Sequence, residues 1–114
     1  LPLANAQRRM SGHSLRLRLT PEAREDLEHI FLYGLERWDV DQAERYEQSI
    51  HDVIVHIQRH PEIGESLWSS RPEIRSFRAR HHMVYYRVRN DMTEVLRVLH
   101  ERQHVSKLTF WLLD

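Results

Sequence analysis

EIRSFRARHHMVYYRVRNDMTEVLRVLHER, residues 73–102, holds three short β-type runs in succession: 74–78, 83–89 and 93–100. Each is rich in β-branched, aromatic or Arg residues, and Arg89-Asn90-Asp91-Met92 is a turn signal between the second and third. Side chains alternate along a strand. Strict alternation puts Val84, Tyr86 and Val88 on one face with Leu96 and Val98. The opposite face then carries Met83, Tyr85 and Arg87 with Val95, Arg97 and Leu99. The first face is the one expected to meet helices. The second mixes apolar groups with Arg and has no obvious second layer, which makes it a candidate binding surface.

The residues upstream supply the cover. Leu15, Leu17 and Leu19 alternate with Arg16 and Arg18, the pattern of a half-buried strand. Thr20-Pro21-Glu22 is a helix start: a capping hydroxyl, a proline suited to the first helical position, and an acid at the positive end of the helix dipole. A helix is predicted over 21–38, with Ala23, Leu27, Ile30, Phe31, Gly34, Leu35 and Trp38 on one stripe. Asp39 or Asp41 caps a second helix over 40–60, whose stripe is Ala43, Tyr46, Ile50, Val53, Ile54 and Ile57. So short a turn between two apolar stripes makes an antiparallel αα-hairpin. His60-Pro61-Glu62-Ile63-Gly64 ends it, and 65–72 reads as a polar connection. The expected order is β-α-α-β-β-β: an α+β fold, an antiparallel-type sheet with an αα-hairpin packed on one face.

A chain of 114 residues with 40% hydrophobic and 30% charged residues fits one globular domain. The absence of cysteine excludes disulfides and cysteine-ligated zinc. No apolar run reaches a membrane span and no signal-peptide core is evident, so a cytoplasmic location without membrane contact is the default. Net charge is zero but segregated: residues 21–60 hold ten acids and four Arg, whereas 71–107 hold nine Lys or Arg and four acids. The strand half therefore suits an acidic partner or nucleic acid, or is a solvated surface. Residues 1–14 are expected to be a disordered arm or vector-derived extension, 15–107 the domain, and 108–114 an apolar tail. VSKLTFWLL, 105–113, either folds back or contacts another chain.

Antiparallel pairing of the last three runs brings Arg80, His81, His82, His100 and Arg102 to one edge. Histidine titrates near neutral pH and Arg matches phosphate geometry, so the edge is either nuclease-like or simply basic and solvated. Adjacent His81 and His82 are expected to point to opposite faces, so that at most one serves a given pocket. His56 and His60 have i, i+4 spacing, but no third ligand is evident, so they read as surface residues and no metal is expected. No phosphate-binding Gly-rich loop or other cofactor motif is present, and no cofactor is expected.

Taken together, Leu19-Thr20-Pro21-Glu22-Ala23, Glu36-Arg37-Trp38, Ala43-Glu44-Arg45-Tyr46, His60-Pro61-Glu62-Ile63-Gly64, Arg75-Ser76-Phe77, Tyr85-Tyr86-Arg87-Val88 and Leu96-Arg97-Val98-Leu99-His100 carry a resemblance. In this order and spacing the chain resembles the ParE branch of the RelE/ParE toxin superfamily of type II toxin–antitoxin systems, over about 15–107. The resemblance implies a toxin that inhibits DNA gyrase and replication and is neutralised by a cognate antitoxin in a hetero-oligomer; it leans against an enzyme and leaves that point open. The alternative is a ribosome-dependent mRNA endonuclease of RelE type, with Arg80, His82, His100 and Arg102 as candidate catalytic residues. That set is incomplete: Met83 stands where the nucleases carry an Arg, and no Tyr follows Arg102. An antitoxin peptide is expected on Tyr85, Arg87, Arg97 and Leu99.

Overall fold

The structure, a computed structural model, describes residues 16–103. The expected arm at 1–14, the domain limits at 15 and 107, and the tail at 108–114 lie outside those residues. The elements are β1 (Arg16–Leu19), α1 (Pro21–Arg37), α2 (Val40–Arg59), a 3-10 turn (Pro61–Ile63), β2 (Glu65–Trp68), β3 (Arg71–Ala79), β4 (His82–Arg89) and β5 (Met92–His100). They form one five-stranded sheet in the order β1-β5-β4-β3-β2. β1 runs parallel to β5 and every other pairing is antiparallel. The α+β class and the αα-hairpin on one face are as expected.

One strand was not. Residues 65–72, read as a polar connection, contribute β2 and the start of β3. β2 lies at the sheet edge, where one side meets water, so Glu65 and Ser66 carry no apolar signal. Pro72 also misleads, because proline is tolerated on strands near an edge. A register shift between Ser66 and Trp68 further blurs the alternation.

The helices start where their caps dictate. Thr20 Oγ1 accepts the Ala23 N–H at 3.0 Å, and Asp39 Oδ1 accepts the Gln42 N–H at 2.7 Å. Asp39, rather than Asp41, is thus the cap of α2. Ile50, Ile54 and Ile57 of α2 are fully buried, each worth about 1.5–3 kcal/mol of apolar transfer. α1 buries less. Ala23, Leu27 and Gly34 face inward, but Leu35 and Trp38, on the predicted stripe, remain 36% and 38% exposed. A Cβ on Gly34 would stand 3.3 Å from the Ala43 Cβ, so the glycine marks the close approach of α2.

β5 departs from strict alternation. Tyr85 faces Arg97 and Tyr86 faces Val95, which leaves Leu96 as an extra residue. Such a bulge shifts the phase of every side chain beyond it. Val95 and Val98 therefore both join the helix-side core with Val84 and Tyr86, correcting the assignment of Val95 to the other face. Val88 is 42% exposed, beyond the reach of the helices.

The bulge lies where β1 ends. β1 pairs with β5 only as far as Leu19 opposite Val95. Beyond it, the start of α1 takes over the open edge. The Thr20 N–H donates to Val95 O at 3.1 Å, and Thr20 Oγ1 donates to Leu96 O at 2.8 Å. The Asp26 carboxylate accepts the Val98 N–H at 2.9 Å and a bidentate pair from Arg97 at 2.8 and 2.9 Å. At the other end of the sheet, the Tyr86 hydroxyl accepts the Gly64 N–H at 2.8 Å and donates to Pro61 O at 2.7 Å.

Two substitutions test these joints by urea unfolding. Asp26→Ala strands the Arg97 guanidinium and the Val98 N–H and is expected to cost about 2–4 kcal/mol. Gly64→Ala places a Cβ on the Tyr86 hydroxyl, 2.8 Å from Tyr86 Cε1 and 2.9 Å from Ser76 O. Overpacking plus the loss of the hydroxyl bonds is expected to cost about 2–3 kcal/mol.

Candidate functional site

β4 begins opposite the end of β5, with His82 paired to His100. Their rings meet edge to face, with centroids 5.2 Å apart. The register that aligns Val84 with Val98 thus also brings together two imidazoles that lie 18 residues apart in the chain. Tyr46 reaches them from α2, its hydroxyl 2.7 Å from His82 Nδ1. The same hydroxyl accepts the His81 N–H at 3.2 Å. Around this centre opens a cleft of about 640 Å³. His29, Ile30, Tyr33 and Trp38, with Tyr46, form its helical wall; His81, His82, His100 and Arg102 form the strand side. Among the described residues no Asp or Glu lines it.

One hydrogen bond assigns a tautomer. The Arg102 N–H must donate to His100 Nδ1 at 3.1 Å, so the His100 proton sits on Nε2. His82 Nδ1 is engaged by the Tyr46 hydroxyl, and when that hydroxyl gives its one proton to Nδ1 the imidazole proton sits on Nε2. Burial, with the neighbouring His100 and His81 adding to it, holds the His82 pKa down at about 4. Burial likewise raises the Tyr46 hydroxyl above its ordinary value. At neutral pH His82 is therefore an uncharged N–H donor whose basic nitrogen is committed. It is poorly placed to accept a proton from a substrate.

Of the predicted nuclease set, His82, His100 and Arg102 line this cleft. Arg80 does not; its backbone is in the left-handed region at φ 59° and its guanidinium lies over the Tyr46 ring, 5.7 Å from the centroid. It lines a second pocket of about 420 Å³ with Gln42 and Arg45, which shares Trp38, Tyr46 and His81 with the first. His81 and His82 serve the same cleft, contrary to the expectation that only one can. His81 lies in the β3–β4 turn, where strand alternation does not apply. Its Nδ1 lies 3.0 Å from the Glu101 carboxylate, which also takes Arg78 at 2.6 Å.

The four residues expected to bind an antitoxin lie elsewhere. Tyr85 and Leu99 are 4% and 1% exposed, with Leu67, Trp68 and Met83 packed on them. Arg87 is paired to Glu94 at 2.9 Å, and Arg18 bonds the same carboxylate. Arg97 is held by Asp26. Sequence reasoning missed the helical wall. Ile30, Trp38 and Tyr46 were read as stripe positions, and neither His29 nor Tyr33 was placed at a site. The available signal was the density of large apolar groups, Leu32, Tyr33, Leu35, Trp38 and Val40, around the hairpin turn. The His56 and His60 rings meet edge to face at 5.3 Å, and His56 meets Phe77 in the same way. Among the described residues no group of three or more His, Asp or Glu is arranged to hold a metal ion. No helix among them is long and apolar enough to cross a membrane.

The buried imidazole makes stability depend on pH. The unfolded chain takes up a proton near pH 6.5 that folded His82 refuses until about pH 4. Its contribution is fully present above about pH 6.5 and is lost as pH falls toward 4. Burial also lowers the pKa of His51, which adds in the same direction. The thermal midpoint is expected to fall between pH 6.5 and 4.5. His82→Asn, which keeps an acceptor near the Tyr46 hydroxyl, is expected to flatten the fall without abolishing it.

Comparison with known proteins places this geometry. The model of the ParE toxin of the type II toxin–antitoxin system parDE matches residues 17–105. Toxin ParE1 of Mycobacterium tuberculosis is 38% identical over 95 residues, covering 82% of this chain and 97% of that one. Among solved structures, the chromosomal ParDE system from P. aeruginosa matches with a TM-score of 0.67 at 21% identity, over 78% of this chain and 98% of that one. The toxin–antitoxin complex RelBE2 from Mycobacterium tuberculosis matches at 0.58 and 21% identity, over 76% and 98%. These last two likenesses concern the fold. The family model and the sequence relative reach further: the chain belongs to the ParE toxin family of type II toxin–antitoxin systems.

Proposed function

We propose that this ParE-type toxin inhibits DNA gyrase in the cytoplasm, so blocking replication, and that a cognate antitoxin neutralises it in a hetero-oligomer. Family membership over 17–105 supports the toxin class. The observation that carries the choice of target is at His82. An imidazole that is uncharged at neutral pH, with Nδ1 taken by Tyr46, supplies neither a general acid nor a general base. A toxin that works by occupying a protein target needs no such group.

The second reading, ribosome-dependent mRNA cleavage, draws on the meeting of His82, His100 and Arg102 in one cleft, with Arg80 nearby. In that reading His100 is the better acid or base candidate, and Arg80 and Arg102 hold phosphate.

For the antitoxin, the reading puts an extended segment along the outer face of β4 and β5. There Leu67, Trp68 and Met83, partly buried and packed over Tyr85 and Leu99, form an apolar floor. The Arg87–Glu94 and Arg97–Asp26 pairs flank it, so apolar contact rather than free charge would supply most of the affinity there.

Induction in bacteria without the antitoxin tests the target. Plasmid supercoiling and mRNA integrity are followed in the same culture. Growth arrest with lost negative supercoiling and intact mRNA is expected. Rapid mRNA cleavage with normal supercoiling overturns the gyrase reading. A His82→Ala, His100→Ala double variant is expected to remain toxic.

A further inference from the structure

The outer face of the sheet, away from the helical hairpin, is buried although none of the described elements lies over it. Ser76 pairs with Tyr85 and Met83 with Leu99, so alternation puts Ile74, Ser76, Tyr85, Arg87 and Leu99 on that face. Ile74 and Leu99 are 0% and 1% exposed, and Ser76, Tyr85 and Arg87 are buried too. The helices pack on the opposite face, against Val84, Tyr86 and Val98. Leu67, Trp68 and Met83 touch Tyr85 and Leu99, but they belong to the sheet itself and are only partly buried. Ile74 is in neither described apolar cluster. A sheet face open to water keeps its side chains partly wet, so burial this complete requires a second layer. These exposures are those of one chain alone, so the layer belongs to the same chain and not to a partner.

Two segments lie outside the described residues, 1–15 and 104–114. The second holds Val105, Leu108, Phe110, Trp111, Leu112 and Leu113. The first is mostly small or polar, with Arg8 and Arg9, and joins β1 opposite Met92, at the other end of β5 from Leu99. At the end of β5 the chain reverses: the Gln103 N–H donates to His100 O at 2.8 Å, and Gln103 Oε1 accepts the His100 N–H at 2.8 Å. The chain cannot return along an edge of β5, because β4 takes one and β1, Thr20 and Asp26 take the other. The hairpin fills the helix side. The outer face remains, with Leu99 next to the reversal. Residues 104–114, extended, span about 36 Å, against roughly 27 Å for β4. The family match ends at residue 105, so nearly all of this segment lies beyond it.

We infer that residues 104–114 are the second layer on the outer face of the sheet, with their apolar side chains over Ile74, Tyr85 and Leu99. The cover accounts for the Arg87–Glu94 pair, which lies on the same face at 2.9 Å with side chains only 8% and 11% exposed. Charges withdrawn from water to that extent have to be matched, as these are. Leu67, Trp68 and Met83 stay at the rim of the cover and are the apolar groups left for an antitoxin segment on this face. The inference itself does not rest on the antitoxin reading.

The chain has no cysteine, so introduced thiols report the cover in the full-length protein. Ser76→Cys puts a nearly isosteric thiol on the outer face. An aromatic disulfide reagent is expected to modify it about 100-fold more slowly than Ser69→Cys, at an exposed position. Adding Trp111→Glu and Leu112→Glu is expected to speed the Ser76→Cys reaction by about 10-fold or more, with the fold checked by circular dichroism. Equal rates at the two positions, or no change on adding the two Glu substitutions, overturn the inference. A second series does not depend on those substitutions folding. Ser76→Cys is combined in turn with a cysteine at each position from 108 to 113, and separately at each position from 3 to 10, and the dilute protein is oxidised. An intrachain disulfide in the first series is expected. Its formation only in the second series overturns the inference in favour of the N-terminal segment. Crosslinks only between chains overturn it in favour of a second copy, and no crosslink in either series overturns it outright.

Discussion

The edge of β5 is the constraint on which the rest of the structure depends. β5 lies between β4 and β1, but β1 covers only its first half. A strand edge that is neither paired nor capped leaves backbone donors and acceptors without partners, at about 1–3 kcal/mol for each buried group. Thr20 and Asp26 solve this from one helix. Thr20 caps α1 and bonds the backbone at Val95 and Leu96, while Asp26 takes the Val98 N–H and clamps Arg97. The helix is thereby aligned along the strand it covers. The Leu96 bulge lies where strand pairing gives way to helix capping. One short stretch of α1 thus sets the position of the hairpin, the phase of β5 and the ends of β4 and β5 where the histidines meet.

The cleft follows from that alignment. α2 carries the aliphatic core through Ile50, Ile54 and Ile57, whereas the last turns of α1 leave aromatic surface uncovered. Gly34 lets α1 and α2 approach closely, which brings Tyr46 of α2 toward the end of β4. The Tyr46 hydroxyl then engages His82 Nδ1, and the Arg102 N–H sets the tautomer of His100. At His82 this places an uncharged imidazole, engaged by Tyr46, among residues whose types alone resemble a catalytic cluster. The distinction matters because acid–base catalysis requires a nitrogen that can exchange its proton at working pH.

Much of the architecture was legible. The 3.6-residue stripes of α1 and α2, the capping signal at Thr20-Pro21 and the turn at Asn90-Asp91 each rest on local chemistry. The structure shows the corresponding helices, the cap, and positive φ of 53° and 58° at the turn. β2 was not legible because an edge strand with one face in water has no apolar alternation to display. The phase of β5 beyond Val95 was not legible either. A bulge is a response to what lies beside the strand, and the neighbour changes from β1 to α1 through contacts more than 70 residues apart in sequence.

The site divides along the same line. The sequence by itself determined that Arg80, His82, His100 and Arg102 fall near one end of the sheet, since hairpin reversal at 80–81 and 90–91 requires it. It also determined the family, through many weak local motifs in a consistent order. Only the tertiary structure decided that Arg80 lies over the Tyr46 ring and lines the adjoining pocket, that Tyr33 and Trp38 complete the cleft, and that Arg87 and Arg97 are already neutralised by Glu94 and Asp26. Local periodicity reports which face of an element is apolar. The partners of a charged or titratable side chain are set by packing between elements, and it is those partners that determine whether the group binds, reacts or holds the fold together.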